Sequence, residues 1–211
     1  MAVGDDDRSD AAGMRHAARR LRRLIRSSDG AAAIEFALLA IPYFLILFAI
    51  LETFVAFTAE QLITGAVDTL GRELRTGQIT YNLGRSTDMT EAQFRQAFCN
   101  EVAILITCSA SEITTPTNLY IDAQSYSSFS AMPTAIPRLS ASDLYSDLNT
   151  SGMKFAPGGQ SSINMLRVFY RWQIITDIVR PYLTNIRPAD GSMPTTYLIV
   201  ATAPFQNEKY P

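Results

Sequence analysis

Residues 28–59 read SDGAAAIEFALLAIPYFLILFAILETFVAFTA and are the most informative stretch of this 211-residue chain. No charged side chain occurs from Phe36 to Leu51, and the wider apolar stretch is interrupted by two acids and one proline: Glu35, Glu52 and Pro42. A helix rises 1.5 Å per residue, so roughly 20 apolar residues cross the hydrocarbon core of a bilayer. The stretch therefore predicts a transmembrane helix over residues 31–59.

Arginine is concentrated on one side of this helix. Six arginines lie between Arg15 and Arg26, whereas only Arg72 and Arg75 follow in the eighteen residues after Ala59. Short arginine-rich flanks stay in the cytoplasm, so we expect a single-pass protein with a cytoplasmic N-terminus and an exported C-terminal part. A secretory signal peptide is the alternative, but its apolar region has only about 7–15 residues and a small-residue cleavage site follows it. Here the run is longer, and the bulky side chain of Phe57 disfavours cleavage.

Glu35 allows two interpretations. In the first, Ser28 or Asp29 caps a helix that starts at the small residues, and Glu35 is tolerated near the inner interface. A carboxylate at the bilayer centre costs roughly 2.5–3.5 kcal/mol, and less near an interface. In the second, the chain is cut between Gly30 and Ala31, and Glu35 of a neighbouring subunit pairs with the new α-amino group. The attraction between the two charges would then offset the free-energy cost of burying each of them.

The segment Gly30–Pro42, GAAAIEFALLAIP, resembles the N-terminal segment of TadE-like pseudopilins of bacterial tight adherence (Flp) pilus systems. The resemblance implies that a prepilin-type peptidase cuts after Gly30, so that Ala31 becomes the first mature residue and Glu35 the fifth. It also implies that Glu35 and Phe36 take part in subunit assembly and that Pro42 bends the helix.

The same resemblance implies a set of partners and a location. The partners are other pilus subunits and pseudopilins, the prepilin peptidase, the inner-membrane assembly platform and membrane lipid. The location is the bacterial inner membrane, with the C-terminal domain in the periplasm. The strong part of the resemblance extends from Gly30 to Glu60. The alternative function is an unprocessed, membrane-anchored periplasmic binding or adhesion module in which Glu35 has no special role.

Charge and composition argue against several other functions. Residues 31–211 carry 11 basic and 15 acidic side chains, which disfavours nucleic acid as a partner. The single histidine, His16, precedes the predicted cut, so the mature chain would lack histidine for catalysis or metal binding. Gly158-Gly159 is not followed by the Gly-Lys-Ser/Thr of a phosphate loop. We therefore predict no catalytic residue, no metal and no cofactor, and expect that the protein is not an enzyme.

Cys99 and Cys108 are the only cysteines, and both fall in the exported part. An even cysteine count in an oxidising periplasm predicts a disulfide between them. Closing so short a loop would stabilise the fold by roughly 2.5–3 kcal/mol in the chain-entropy model. Two free thiols on either side of a short buried helix are the alternative.

Helical spacing of apolar residues continues beyond Ala59 and predicts an amphipathic stalk helix over residues 60–77, with Gly77 as its stop. A separate surface helix after a break near Gly65 is the alternative. A second helix is predicted from Thr90 to about Leu105. The apolar residues of the stalk are Leu62, Ile63, Ala66, Val67, Leu70 and Leu74.

Three strands are predicted in the remainder: Leu119–Ser127, Leu166–Ile175 and Thr195–Thr202. An amphipathic stretch, Asp177–Ile186, joins the last two, and residues 127–159 are expected to be loops. The fold class is α+β, with a long N-terminal helix and a small head in which one face of an antiparallel sheet of about three strands is covered by helix. The expected domains are a cytoplasmic leader (1–30), a transmembrane helix (31–59), a stalk (60–77) and a periplasmic head (78–211).

Overall fold

The computed structural model describes residues 28–188 and 190–210. Of the basic leader (1–30), the structure describes only residues 28–30. The predictions that concern the rest of the leader, including His16, therefore fall outside the described residues. The chain divides into two units, residues up to Phe48 and residues from Ala49 onward, and each is described by itself.

The first described element is α1, a helix of 49 residues that spans Ser28–Thr76. It runs through Gly65 without interruption, so the alternative of a separate helix after that residue is wrong. The helix ends where predicted, because Gly77 adopts a φ of +77°, a conformation that glycine reaches at little cost. The Gly77 N–H donates to the Leu74 carbonyl, and the Gln78 N–H donates to the Glu73 carbonyl.

The head contains a four-stranded mixed sheet in the order β2-β1-β3-β4. The strands are β1 (Leu119–Tyr126), β2 (Phe155–Ala156), β3 (Ile163–Gln173) and β4 (Thr196–Gln206). β3 pairs antiparallel with both β1 and β4. Tyr170 of β3 lies opposite Leu119 of β1, and Trp172 of β3 lies opposite Tyr197 of β4. The α+β prediction is confirmed, with three strands close to the predicted positions and one more than expected.

The additional strand, β2, lies inside the segment that was expected to be loops. It runs parallel to β1 for two residues, and the Ala123 N–H donates to the Lys154 carbonyl at 2.8 Å. So short a strand has no period-two pattern of its own, and it forms because the edge of β1 offers it donors and acceptors.

β4 continues to Gln206, beyond its predicted end at Thr202 and through Pro204. The Leu198 N–H donates to the Asn185 side chain at 2.6 Å and not to β3. Backbone groups alternate in direction along a strand, so the even-numbered residues of β4 direct their N–H and C=O groups away from β3. Pro204 is one of these even-numbered residues, and its missing N–H therefore removes no hydrogen bond between β4 and β3.

The shorter helices are α2 (Glu91–Glu101), α3 (Ala110–Thr114) and α4 (Arg180–Leu183). Thr90 caps α2 through a reciprocal pair of hydrogen bonds with Gln93, so the predicted start is correct although the helix ends four residues early. α4 is much shorter than the predicted stretch 177–186, and Pro181 lies in its first turn. A 3₁₀ turn at Phe129–Ala131 lies in the long loop region.

The main core lies between α1, α2 and one face of the sheet. Each fully buried Leu or Ile side chain there contributes about 1.5–3 kcal/mol of transfer free energy. α1, α2 and the C-cap of α2 contribute Ala59, Ile63, Ala66, Val67, Leu70, Leu74, Phe94, Phe98 and Val102, and the sheet contributes Leu119, Ile121, Ala123, Leu166, Val168, Ile199 and Ala201.

The opposite face of the sheet is also partly covered, which the sequence did not predict. Leu148 and Ile186, both from connecting segments, pack there with Phe169 and Leu198 in a second buried cluster. The connections 127–159 and 174–195 are therefore part of the folded head.

Candidate membrane and assembly site

The N-terminal part of α1 presents an apolar surface that no described residue buries. α1 has the length and apolar composition to cross a membrane from Ala32 onward, and none of its most apolar 18-residue window is buried. Ile34 is 66% exposed, Phe36 71% and Leu38 68%. A soluble surface would not display so large an apolar area, which points to lipid or protein as its cover.

The residues to which the sequence assigned cleavage and pairing lie at the start of this surface. Gly30 and Ala31 are helical, and Glu35 and Phe36 are exposed one turn later. Ala31 and Glu35 are separated by four residues, or about 6 Å along the axis.

Pro42 lies inside α1, where it has no N–H to donate to the carbonyl of Leu38. An open apolar groove of about 480 Å³ lies beside it. The groove is lined by Phe36, Ala37, Ala40, Ile41, Phe44, Leu45 and Phe48. The small side chains of Ala37 and Ala40 let another helix approach closely at this groove.

Glu52 has a role that sequence reasoning missed. Its carboxylate accepts hydrogen bonds from the backbone N–H groups of Ile175 and Thr176, the latter at 2.8 Å. It thereby holds the β3–β4 connection against α1. The available signal was its position, since Glu52 is the acid that ends the uncharged run.

Glu60 makes a second polar contact between α1 and the head. The Tyr197 hydroxyl donates to the Glu60 carboxylate at 2.8 Å. Burial, together with this hydrogen bond and the negative charge of Glu60, raises the pKa of Tyr197 to about 12.

The predicted disulfide is present, since Cys99 and Cys108 are bonded with their Cα atoms 5.9 Å apart. It joins the end of α2 to the residue before the cap of α3, so the alternative of two free thiols does not describe this structure.

Acidic side chains elsewhere in the head are paired or dispersed. Asp147 forms an ion pair with Arg171 at 2.8 Å, and Asp177 pairs with Arg180 at 2.6 Å. Within residues 28–188 and 190–210, no three His, Cys, Asp or Glu side chains come together in a way that could hold a metal ion.

The segment of the chain that matches a known family includes the exposed apolar surface of α1. Residues 30–72 match a family model described as TadE-like protein. This segment is TadE-like. The match covers 43 of the 211 residues and contains Gly30, Ala31, Glu35, Phe36 and Pro42. No curated protein and no solved structure matches the chain.

Proposed function

We propose that the protein is a pseudopilin-like component of a bacterial tight adherence (Flp) pilus assembly machine. The observation that carries this proposal is the TadE-like match over residues 30–72. The exposed apolar surface of α1 supports it, because such a surface requires lipid or the helices of neighbouring subunits as its cover. Its partners are then other pilus subunits and pseudopilins, the assembly platform and the prepilin peptidase.

The proposal includes processing after Gly30. Removal of residues 1–30 would leave Ala31 with a free α-amino group at the start of an apolar helix. Glu35 of an adjacent subunit would neutralise that charge inside the bundle, where an unpaired charge is costly. The role is structural rather than enzymatic.

The proposed topology has residues 1–30 in the cytoplasm and the head in the periplasm, with the chain held in the inner membrane. The arginine-rich flank supports this orientation. The disulfide between Cys99 and Cys108 supports an oxidising compartment for the head.

The deciding experiment is N-terminal sequencing and intact mass of the protein from membranes of cells that contain the whole pilus system. We expect a chain that begins at Ala31. Gly30→Leu should leave the leader attached, because a bulky side chain replaces glycine directly before the cut. Gly13→Leu, a glycine of the same leader, is the matched control and should be processed normally.

An intact leader on the unmodified protein in those cells would overturn processing. The protein would then fit the alternative, an unprocessed membrane-anchored periplasmic binding or adhesion module.

A further inference from the structure

The connection between β3 and β4, residues 174–195, displays apolar side chains to solvent. We refer to it as the β3–β4 loop. Ile175 is 80% exposed, Ile178 48%, Tyr182 85% and Met193 55%. Its charged side chains balance, with Arg180 and Arg187 against Asp177 and Asp190.

Hydrogen bonds hold this loop in place. The Glu52 carboxylate binds its backbone at Ile175 and Thr176. Arg180 folds the loop back on itself, since its guanidinium donates to the carbonyls of Ile174 and Ile175, each at 3.1 Å. The position of Ile175 is thus fixed relative to Glu52.

Contacts between α1 and the last part of the chain follow a regular order. Glu52 contacts the β3–β4 loop, and Glu60 contacts Tyr197 at the start of β4. Further along α1, a Cβ atom on Gly71 would meet Ala203 at 3.3 Å, and Arg75 pairs with Glu208 at 3.5 Å. Of these contacts, the one between Glu52 and the β3–β4 loop is therefore nearest to the uncharged run, Phe36 to Leu51.

The uncharged run reaches Leu51, the residue before Glu52. Residues 32–51 would extend about 30 Å as a helix, which equals the thickness of the hydrocarbon core. Ala56 and Ala59 are 2% and 0% exposed because the head covers them. These observations place the end of the membrane segment near Glu52, some residues before Ala59.

We propose that the β3–β4 loop rests on the outer surface of the bilayer, with Ile175, Ile178 and Tyr182 in the interfacial region. The inference rests on the membrane-spanning helix of the proposed function. Continuity of the chain through Leu51 and Glu52 brings the loop to the lipid surface, and its balanced charge makes the contact apolar rather than electrostatic. Association is therefore independent of anionic lipid.

The test uses the full chain reconstituted in phosphatidylcholine vesicles, with one cysteine introduced at a time and labelled with an environment-sensitive fluorophore. The two native cysteines are bonded, so the introduced thiol is the one that reacts. The test positions are Ile175 and Tyr182. Leu83 and Phe129, which are 44% and 51% exposed, are the controls. Leu83 follows the C-terminal end of α1, and Phe129 follows the end of β1 that pairs with the start of β3.

Nitroxide-labelled lipid should quench the fluorophore at Ile175 and Tyr182 severalfold more than at Leu83 and Phe129. A fluorophore at Phe44, inside the uncharged run, reports whether the helix lies in the bilayer. Quenching at Phe44 with no excess at Ile175 and Tyr182 overturns the loop inference and leaves the proposed function standing. Absence of quenching at Phe44 overturns both, and equal quenching at all positions overturns the loop inference because the label itself would then drive insertion.

Discussion

Among individual residues, Glu112 is a side chain on which four local hydrogen bonds converge. It lies in α3 and is buried, and its carboxylate accepts the backbone N–H groups of Thr117, Asn118 and Leu119 at 2.7–2.8 Å. The Thr117 hydroxyl donates to it at 2.6 Å. These bonds fix the chain where it enters β1.

Burial by itself would raise the pKa of Glu112, but the hydrogen bonds from Leu119, Thr117 and Asn118 act in the opposite direction and the net pKa is lowered from 4.5. A lowered pKa in the folded state means that the carboxylate stabilises the fold at pH above 4.5. This stabilisation is lost as the pH falls through the lowered value.

We predict that Glu112→Gln lowers the free energy of unfolding at neutral pH by about 1–3 kcal/mol, because a neutral amide oxygen accepts the three backbone N–H groups more weakly than a carboxylate oxygen does. Denaturant unfolding of the two proteins measures the difference. Glu101→Gln, at an exposed position of α2, is the control and should change little. A difference between Glu112→Gln and the wild type that persists unchanged well below pH 4.5 would contradict the argument.

Tyr197 gives a prediction at alkaline pH. Burial and the bond to Glu60 together raise its pKa, so the fold keeps its full stability below pH 10 and loses part of it as the pH rises through about 12. The difference in tyrosinate absorbance between wild type and Tyr197→Phe should therefore titrate near pH 12. A difference spectrum that titrates near the ordinary value of 10 would contradict both the burial of Tyr197 and its bond to Glu60.

Among the elements, the C-terminal half of α1 contains two glycines in opposite surroundings, Gly65 and Gly71. A side chain on Gly65 would meet nothing within 4 Å, whereas one on Gly71 would meet Ala203 and Phe205 of β4. The close approach of helix and strand at Gly71 leaves no room for a larger residue.

We predict that Gly65→Ala raises the free energy of unfolding by about 0.5–1 kcal/mol, because alanine restricts the unfolded chain and favours helix. Gly71→Leu should lower it by about 1–3 kcal/mol through overpacking. Denaturant unfolding in detergent measures both, and each variant serves as the control for the other. Equal effects at the two positions would contradict the packing of α1 against β4.

The elements differ in how far the sequence predicts them. Period-two and helical patterns locate α1, α2 and three strands, and Gly77 and Thr90 mark an end and a start correctly because their local chemistry is strong. β2 and the cover on the second face depend on tertiary contacts of Phe155, Leu148 and Ile186, which no local pattern reveals. The helix predicted at 177–186 ends at Leu183 because the Asn185 N–H donates to the Thr196 carbonyl and Ile186 forms a β-bridge with Thr196.

The candidate site follows the same division. The predictions for Gly30, Glu35 and Pro42 depend on one continuous segment, Gly30–Pro42, so they could be made from the sequence alone. Glu52 and Glu60 act through partners more than 120 positions away, at Ile175 and Tyr197. A pattern on one helix face carries no information about such partners.

At the scale of the whole molecule, the proposed assembly predicts separate consequences for insertion and for pilus formation. Glu35→Gln keeps the size of the side chain and removes its charge. We predict normal membrane insertion and a normal disulfide, but reduced pilus assembly because the α-amino group of a neighbouring Ala31 loses its counter-charge. Surface piliation, measured by microscopy and by shear release of filaments, reports the effect.

Asp68→Asn is the matched control, since it removes a carboxylate from an exposed position of the same helix. It should leave piliation unchanged. Full piliation in the Glu35→Gln strain would contradict the pairing between subunits.

The bond between Glu60 and Tyr197 joins residues 137 positions apart. Ribosomes add roughly 5–20 residues per second, so about 7–27 s separate the synthesis of the two partners. Throughout that interval the apolar stripe of α1 that includes Ile63 and Leu70 has no strand β4 to cover it. The nascent chain therefore displays part of that stripe until its last strand emerges.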